Sequence, residues 1–190
     1  YGNSFLGFRH YPSAMRDFLA WGRDTLGALA HVTECGGDWT FDGPKYYYSQ
    51  IFQWDADADP CAVMAEFCNA SYGSAAAEMK AFWDRFETVW ENRGPMPYSM
   101  DDAHRRYLWY LMVNWKIGAT IAPNDEFRDY TQSDVDFLDA CMASAIALAA
   151  GDNAGVQYRV ARMEEAWKYY RTFLVSRIQY YDSPRPDITV

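Results

Sequence analysis

Glu34 is the residue in this chain best placed to do chemistry. It stands just past a short apolar run, residues 28–33, and just before Gly36-Gly37. A carboxyl group at such a point can act as a general acid or base, or can accept a hydrogen bond from a sugar hydroxyl. Glycoside hydrolysis commonly uses two carboxyl groups, or one acid with an assisting substrate acetamido group. Asp38 and Trp39 follow on the same predicted loop. Trp39 offers a ring face for stacking on a sugar, and Asp38 an acceptor for its hydroxyls. Each also has a plain structural alternative: Glu34 as a loop or capping carboxylate, Asp38 as a solvated charge, Trp39 as a packed ring.

Other chemistry-bearing residues resolve into structural roles. Asp55, Asp57 and Asp59 alternate in a run that resembles part of a calcium loop. Such a loop needs a glycine turn and a later bidentate Glu in register. The glycine is missing and Pro60 starts a helix, so capping explains the run better. Glu66 has apolar neighbours on a predicted helix and is expected to pair, buried, with an Arg of another helix. Cys61 and Cys68 are two helical turns apart, roughly 10 Å, which is beyond the disulfide limit of about 7 Å. No CxxC pair occurs among the four cysteines and the three histidines are scattered, so no zinc site or other metal site is expected. Buried free thiols are the expectation. No phosphate-binding glycine loop, no GxSxG and no recognisable Cys–His arrangement is present, and no cofactor is implied.

The elements that must hold these residues are mostly helices. Ser13 can cap a helix with an apolar stripe of Met15, Phe18, Leu19 and Leu26, which Gly27 ends. Residues 28–33 (ALAHVT) then read as a short strand, bounded by Gly27 and Gly36-Gly37. Helix, tight turn, buried strand and polar loop make one αβ unit of a parallel sheet. Residues 38–43 read as a loop and 45–54 as a short aromatic helix. Asp59 and Pro60 open the next helix, with Val63, Met64, Phe67 and Cys68 on one face. Gly73 stops it, and Ser74 can cap a further helix carrying Met79, Phe82, Trp83, Phe86, Val89 and Trp90. The spacing predicts a tight helical hairpin. Residues 92–100, with two prolines and a glycine, form a connector. A central helix is predicted over 101–121, with Tyr107, Leu108, Leu111, Met112 and Trp115. Thr131 with Asp134 resembles a capping box for the next helix. The last helix carries Val156, Val160, Met163, Trp167, Tyr170 and Leu174. Phe67, Phe82, Phe86, Leu108, Leu111, Trp115, Leu138, Met142, Met163 and Trp167 are the predicted core.

One stretch carries a resemblance. Gln53-Trp54-Asp55, Asp59, Glu66-Phe67, Tyr72-Gly73, Ala75-Ala76 and Met79 resemble the tail of a family of large bacterial glycoside hydrolases. There an aromatic helix ends in a Leu-Trp-Asp-Pro turn, and a helix with Glu-Phe, then Tyr-Gly-x-Ala-Ala and a long helix follow. The chain is similar in this to glycoside hydrolase family 163, whose reported activity is endo-β-N-acetylglucosaminidase. It has Phe52-Gln53 where Leu-Leu is common, and Asp55-Ala56 where Asp-Pro is common. The resemblance implies that residues 1–58 are the end of a glycosidase-like (β/α)8 barrel whose strand ends in Glu34. Residues 59–190 would be a C-terminal helical domain. Active sites of such barrels are built at the C-terminal ends of the strands. Glu34 would then be catalytic and Asp38 and Trp39 substrate-binding, with a glycan as substrate and the rest of the barrel as partner. A secreted or periplasmic location follows from the same resemblance.

Composition sets outer limits. The chain has 190 residues and a net charge of −9, which repels nucleic acid and anionic membranes. No apolar run approaches the roughly 20 residues needed to span a bilayer. Eight Trp, fifteen Tyr and eleven Phe supply rings for a helical core or for sugar stacking. The chain begins with Tyr1 and is expected to be an excised piece of a longer protein, inactive alone. The expected fold is mainly α: a helical bundle or array with a small αβ remnant of a (β/α)8 barrel at the N-terminus. The expected function is that of the C-terminal portion of a glycoside hydrolase acting on N-acetylglucosamine-containing glycans. The alternative is a non-catalytic helical module that braces a barrel or mediates protein or glycan binding.

Overall fold

A computed structural model describes residues 10–30, 39–91 and 130–182. Among the described residues six α-helices occur: α1 (Pro12–Leu26), α2 (Trp39–Trp54), α3 (Pro60–Tyr72), α4 (Ala76–Glu91), α5 (Gln132–Ala149) and α6 (Ala154–Asp182). A short 3₁₀ turn, Gly73–Ala75, joins α3 to α4.

No strand occurs among the described residues, and this overturns the expected αβ remnant of a barrel. Residues 28–30 of the predicted strand are irregular, and Leu29 is fully exposed. The run is too short for periodicity to separate a buried strand from an exposed turn. Gly27 instead adopts a left-handed conformation (φ 65°), and the Ala28 N–H reaches back to the Gly22 carbonyl at 3.0 Å. That bond closes α1 and folds the chain over its own last turn. Residues 31–33 lie outside the described residues, as does the helix predicted over 101–121.

Local signals set most helix ends. The Asp59 carboxylate accepts from the Cys61 and Ala62 N–H groups at 3.2 and 3.3 Å, and Pro60 takes the first helical position. Thr131 and Asp134 form the expected capping box at the start of α5, with the Thr131 N–H to Asp134 Oδ2 at 2.7 Å. Two ends differ from expectation. α1 starts at Pro12, and Ser13 does not cap it; the Ser13 N–H donates 2.8 Å to Glu87 Oε1 of α4. α2 starts at Trp39, six residues earlier than the sequence suggests, and carries Pro44 inside it. Trp39 and Tyr46, two turns apart, meet edge-on at 5.0 Å, and this contact supports the early turns against the proline.

α1 and α2 run parallel. Lys45 Nζ lies 6.0 Å from the Tyr11 ring centroid at one end, and Arg23 pairs with Asp57 at 3.0 Å at the other. α3 and α4 form the predicted hairpin, α5 packs on α4, and α6 packs on α5. One apolar cluster runs through all six helices. At its centre Trp167 meets Phe82 edge-on at 5.4 Å, and Phe86 packs between Tyr130 and Tyr170 at 5.9 and 6.0 Å. Phe82, Phe86, Leu138, Met142, Met163 and Trp167 of the predicted core are buried, and Phe67 is half-buried. Leu108, Leu111 and Trp115 lie outside the described residues. Leu26 was expected on the buried stripe of α1 and is exposed instead.

Candidate functional site

Of the three residues expected to contact a sugar, Glu34 and Asp38 lie outside the described residues. Trp39 is described. It opens α2 with 70% of its surface exposed, one edge resting on Tyr46. One turn further on, Asp42 and Lys45 pair at 2.5 Å. The exposed indole offers a ring face that suits a ring ligand.

The aspartate run divides its roles. Asp59 caps α3, Asp55 Oδ1 accepts from the Asp57 N–H at 3.0 Å, and Asp57 takes both terminal nitrogens of Arg23 at 3.0 and 3.1 Å. Among the described residues no group of three or more His, Cys, Asp or Glu side chains could hold a metal ion. Glu66 is exposed, not buried with an Arg. Its carboxylate accepts from the Tyr47 hydroxyl, whose pKa is raised by burial and then by that bond. Cys68 is buried, and burial pushes its thiol up to about 12; burial also raises Cys141. Neither thiol is prepared for nucleophilic work. Cys61 is exposed, against expectation.

The end of the bundle where α1 and α2 finish is different in kind. Trp54, the last residue of α2, is 94% exposed. Leu26, the last residue of α1, and Leu29 beyond it are exposed at the same end. Arg23 ties this end together through Asp24 and Asp57. Hydrogen bonds from Arg23 hold both carboxyl groups below the usual carboxylate range. Asp24, Asp55, Asp57 and Asp59 are all exposed on the same two chain segments, and Arg16 as well as Arg23 acts on Asp57. This end therefore exposes apolar side chains and carboxylates on the same two segments. Sequence periodicity placed Leu26 inward and left Trp54 unassigned. The only signal for this surface is the density of Asp just after a terminal Trp.

Among the described residues no helix is long and apolar enough to cross a membrane. No protein-family model, no curated protein and no solved structure matches the chain.

Proposed function

We propose that the chain is a non-catalytic helical module that binds another protein through the end of α1 and α2. The observation that carries this reading is the exposure of Leu26, Leu29 and Trp54 where α1 and α2 finish, Leu29 and Trp54 being the two most exposed large apolar side chains among the described residues. Tryptophan is enriched among residues that dominate protein–protein binding, and clustered exposed apolar groups mark contact surfaces. The exposed carboxylate set of Asp24, Asp55, Asp57 and Asp59 selects a basic partner and disfavours a second copy of the same acidic face. The fitting partner is a basic amphipathic segment that sets its apolar side on Trp54 and its cations on the aspartates.

The test uses two labelled peptides, an amphipathic helix of Leu and Lys and a Lys-matched peptide in which Ser replaces Leu. Fluorescence anisotropy at physiological salt should show the amphipathic peptide binding, and Trp54→Ala should weaken it at least about tenfold, the loss of one hot-spot side chain. Equal binding of both peptides would mean that bulk charge alone is at work and would sink the reading. An unchanged affinity in Trp54→Ala would do the same.

A second reading, glycan binding, is favoured by one observation: the exposed indole of Trp39 at the start of α2. A chitooligosaccharide titration followed by intrinsic fluorescence, lost in Trp39→Ala, would support it. An unaltered titration in that variant would remove Trp39 from the site.

A further inference from the structure

His10 is 1% exposed and neither ring nitrogen has a hydrogen-bond partner. The ring sits between α2 and α4, edge-on to Tyr48 at 5.6 Å and tilted on Trp83 at 5.2 Å. The charged groups nearest it on both helices are cations: Lys45 from α2 and Lys80 from α4. The acids of the neighbourhood are already engaged. Asp42 holds Lys45 at 2.5 Å, Asp84 holds Lys80 at 2.6 Å, and Glu87 accepts from the Ser13 N–H. A buried polar group with no partner costs stability even when neutral. An imidazolium in the same place would be a third cation with no acceptor.

We propose that His10 is an acid-released latch: it holds the start of α1 on α2 and α4 when neutral, and lets that segment go when protonated. The Tyr11 ring beneath Lys45 and the bond from Ser13 to Glu87 are the other fastenings of the same segment. They would be loosened together with it. α5 and α6, joined to α4 by their own ring contacts and ion pairs, do not depend on it.

The sign follows from burial. Desolvation, then Lys45 and Lys80, push the latched imidazole down to about 3, whereas a released histidine titrates near its ordinary 6.5. Above 6.5 both states are neutral and pH has no effect through this group. Below it the released state binds the proton first, so the latch weakens as pH falls from 6.5 towards 3. Linkage between a latched value of about 3 and a free value of 6.5 makes the opening constant about 30-fold larger at pH 5 than at pH 8.

Hydrogen exchange of the full chain, read by mass spectrometry, tests this. The peptide covering residues 10–16 should lose about 30-fold in protection between pH 8 and pH 5, after correction for the intrinsic exchange rate. The peptides of α5 and α6 should keep theirs. His10→Phe should abolish the pH dependence of the first peptide. Lys45→Met, which removes one of the opposing cations, should leave the onset near pH 6.5 and shrink the total loss reached towards pH 3, and serves if the Phe variant does not fold. The same loss in His10→Phe as in the unaltered chain would overturn the proposal. So would no loss at all, or a loss shared equally by α5 and α6.

Discussion

Gly73 offers the sharpest single-atom test of how the bundle is joined. It opens the 3₁₀ turn after α3 with φ 53° and ψ −124°, a region that side-chain-bearing residues rarely adopt. A Cβ built there would meet Asp152 Oδ2 at 2.8 Å and its Cγ at 3.1 Å. Asp152 cannot easily move, because its Oδ2 accepts from the Ser74 N–H at 2.9 Å and from the Ser74 hydroxyl at 2.5 Å. Those bonds hold its carboxyl below the usual range. Gly73→Ala therefore acts through two routes. Backbone strain alone should cost about 1–3 kcal/mol. Displacement of the carboxylate adds to that by loosening the α5–α6 turn from the α3–α4 turn. The assay is urea unfolding followed by circular dichroism, on Gly73→Ala, Asp152→Ala and the double variant. In the Asp152→Ala background the glycine substitution should cost less, since only the backbone route remains. A cost for Gly73→Ala below about 0.5 kcal/mol would refute the strain argument, since ordinary surface changes already span that range. An identical cost in both backgrounds would refute the close approach.

Two further outcomes are expected. Trp167→Ala should cost about 3–5 kcal/mol in urea unfolding. Trp167→Phe should cost only about 0.5–1.5 kcal/mol, because it removes the indole bond to Asp139 while Arg171 still holds that carboxylate. With Cys35 replaced by Ser, a thiol reagent should modify Cys61 in the native chain and reach Cys68 and Cys141 only after unfolding; rapid native labelling of Cys68 would contradict its burial.

What could be read from the sequence lies within about four residues of itself. Asp59 with Pro60, Thr131 with Asp134, and Gly27 at the end of α1 all work through groups on the same turn, so residue type and spacing suffice. The fastenings that join the turns are long-range and left no local pattern. Glu87 takes the place of a local cap for Ser13 from 74 residues away, and Asp152 reaches Ser74 from 78. Arg159 Nε donates 2.6 Å to the Ser71 carbonyl from 88. Ser74 was expected to cap α4, and its donors are spent on Asp152 instead. The candidate surface was hidden for a related reason. Periodicity tells which side chains share a face, but whether a neighbour covers that face is decided by the rest of the chain. Leu26 continues the stripe of Met15 in sequence, yet α1 outruns its neighbours and leaves it in solvent.

The same distinction bears on the motif resemblance around residues 53–79. Asp59 caps a helix, and Glu66 accepts from Tyr47 at the surface. Tyr72, Ala75 and Met79 are buried, and Gly73 supplies a conformation that other residues resist. Ala75 lies in the 3₁₀ turn against α5, where a larger side chain would push the two hairpins apart. Each of these residues takes part in a cap, a turn or a contact of the bundle. A signature made of caps, turns and small packed residues reports a way of joining two helices. Trp54 is the exception. With Gln53 it is exposed at the end of α2, and of the two only Trp54 presents a large apolar surface. A sugar ring and a basic helix would each suit an indole face, but they differ in what must stand around it. The exposed residues on the two segments that finish at this end with Trp54 include Asp24, Asp55, Asp57, Asp59, Leu26 and Leu29. Exposed leucines suit an apolar helix face better than sugar hydroxyls, which favours the proposed protein partner at this end.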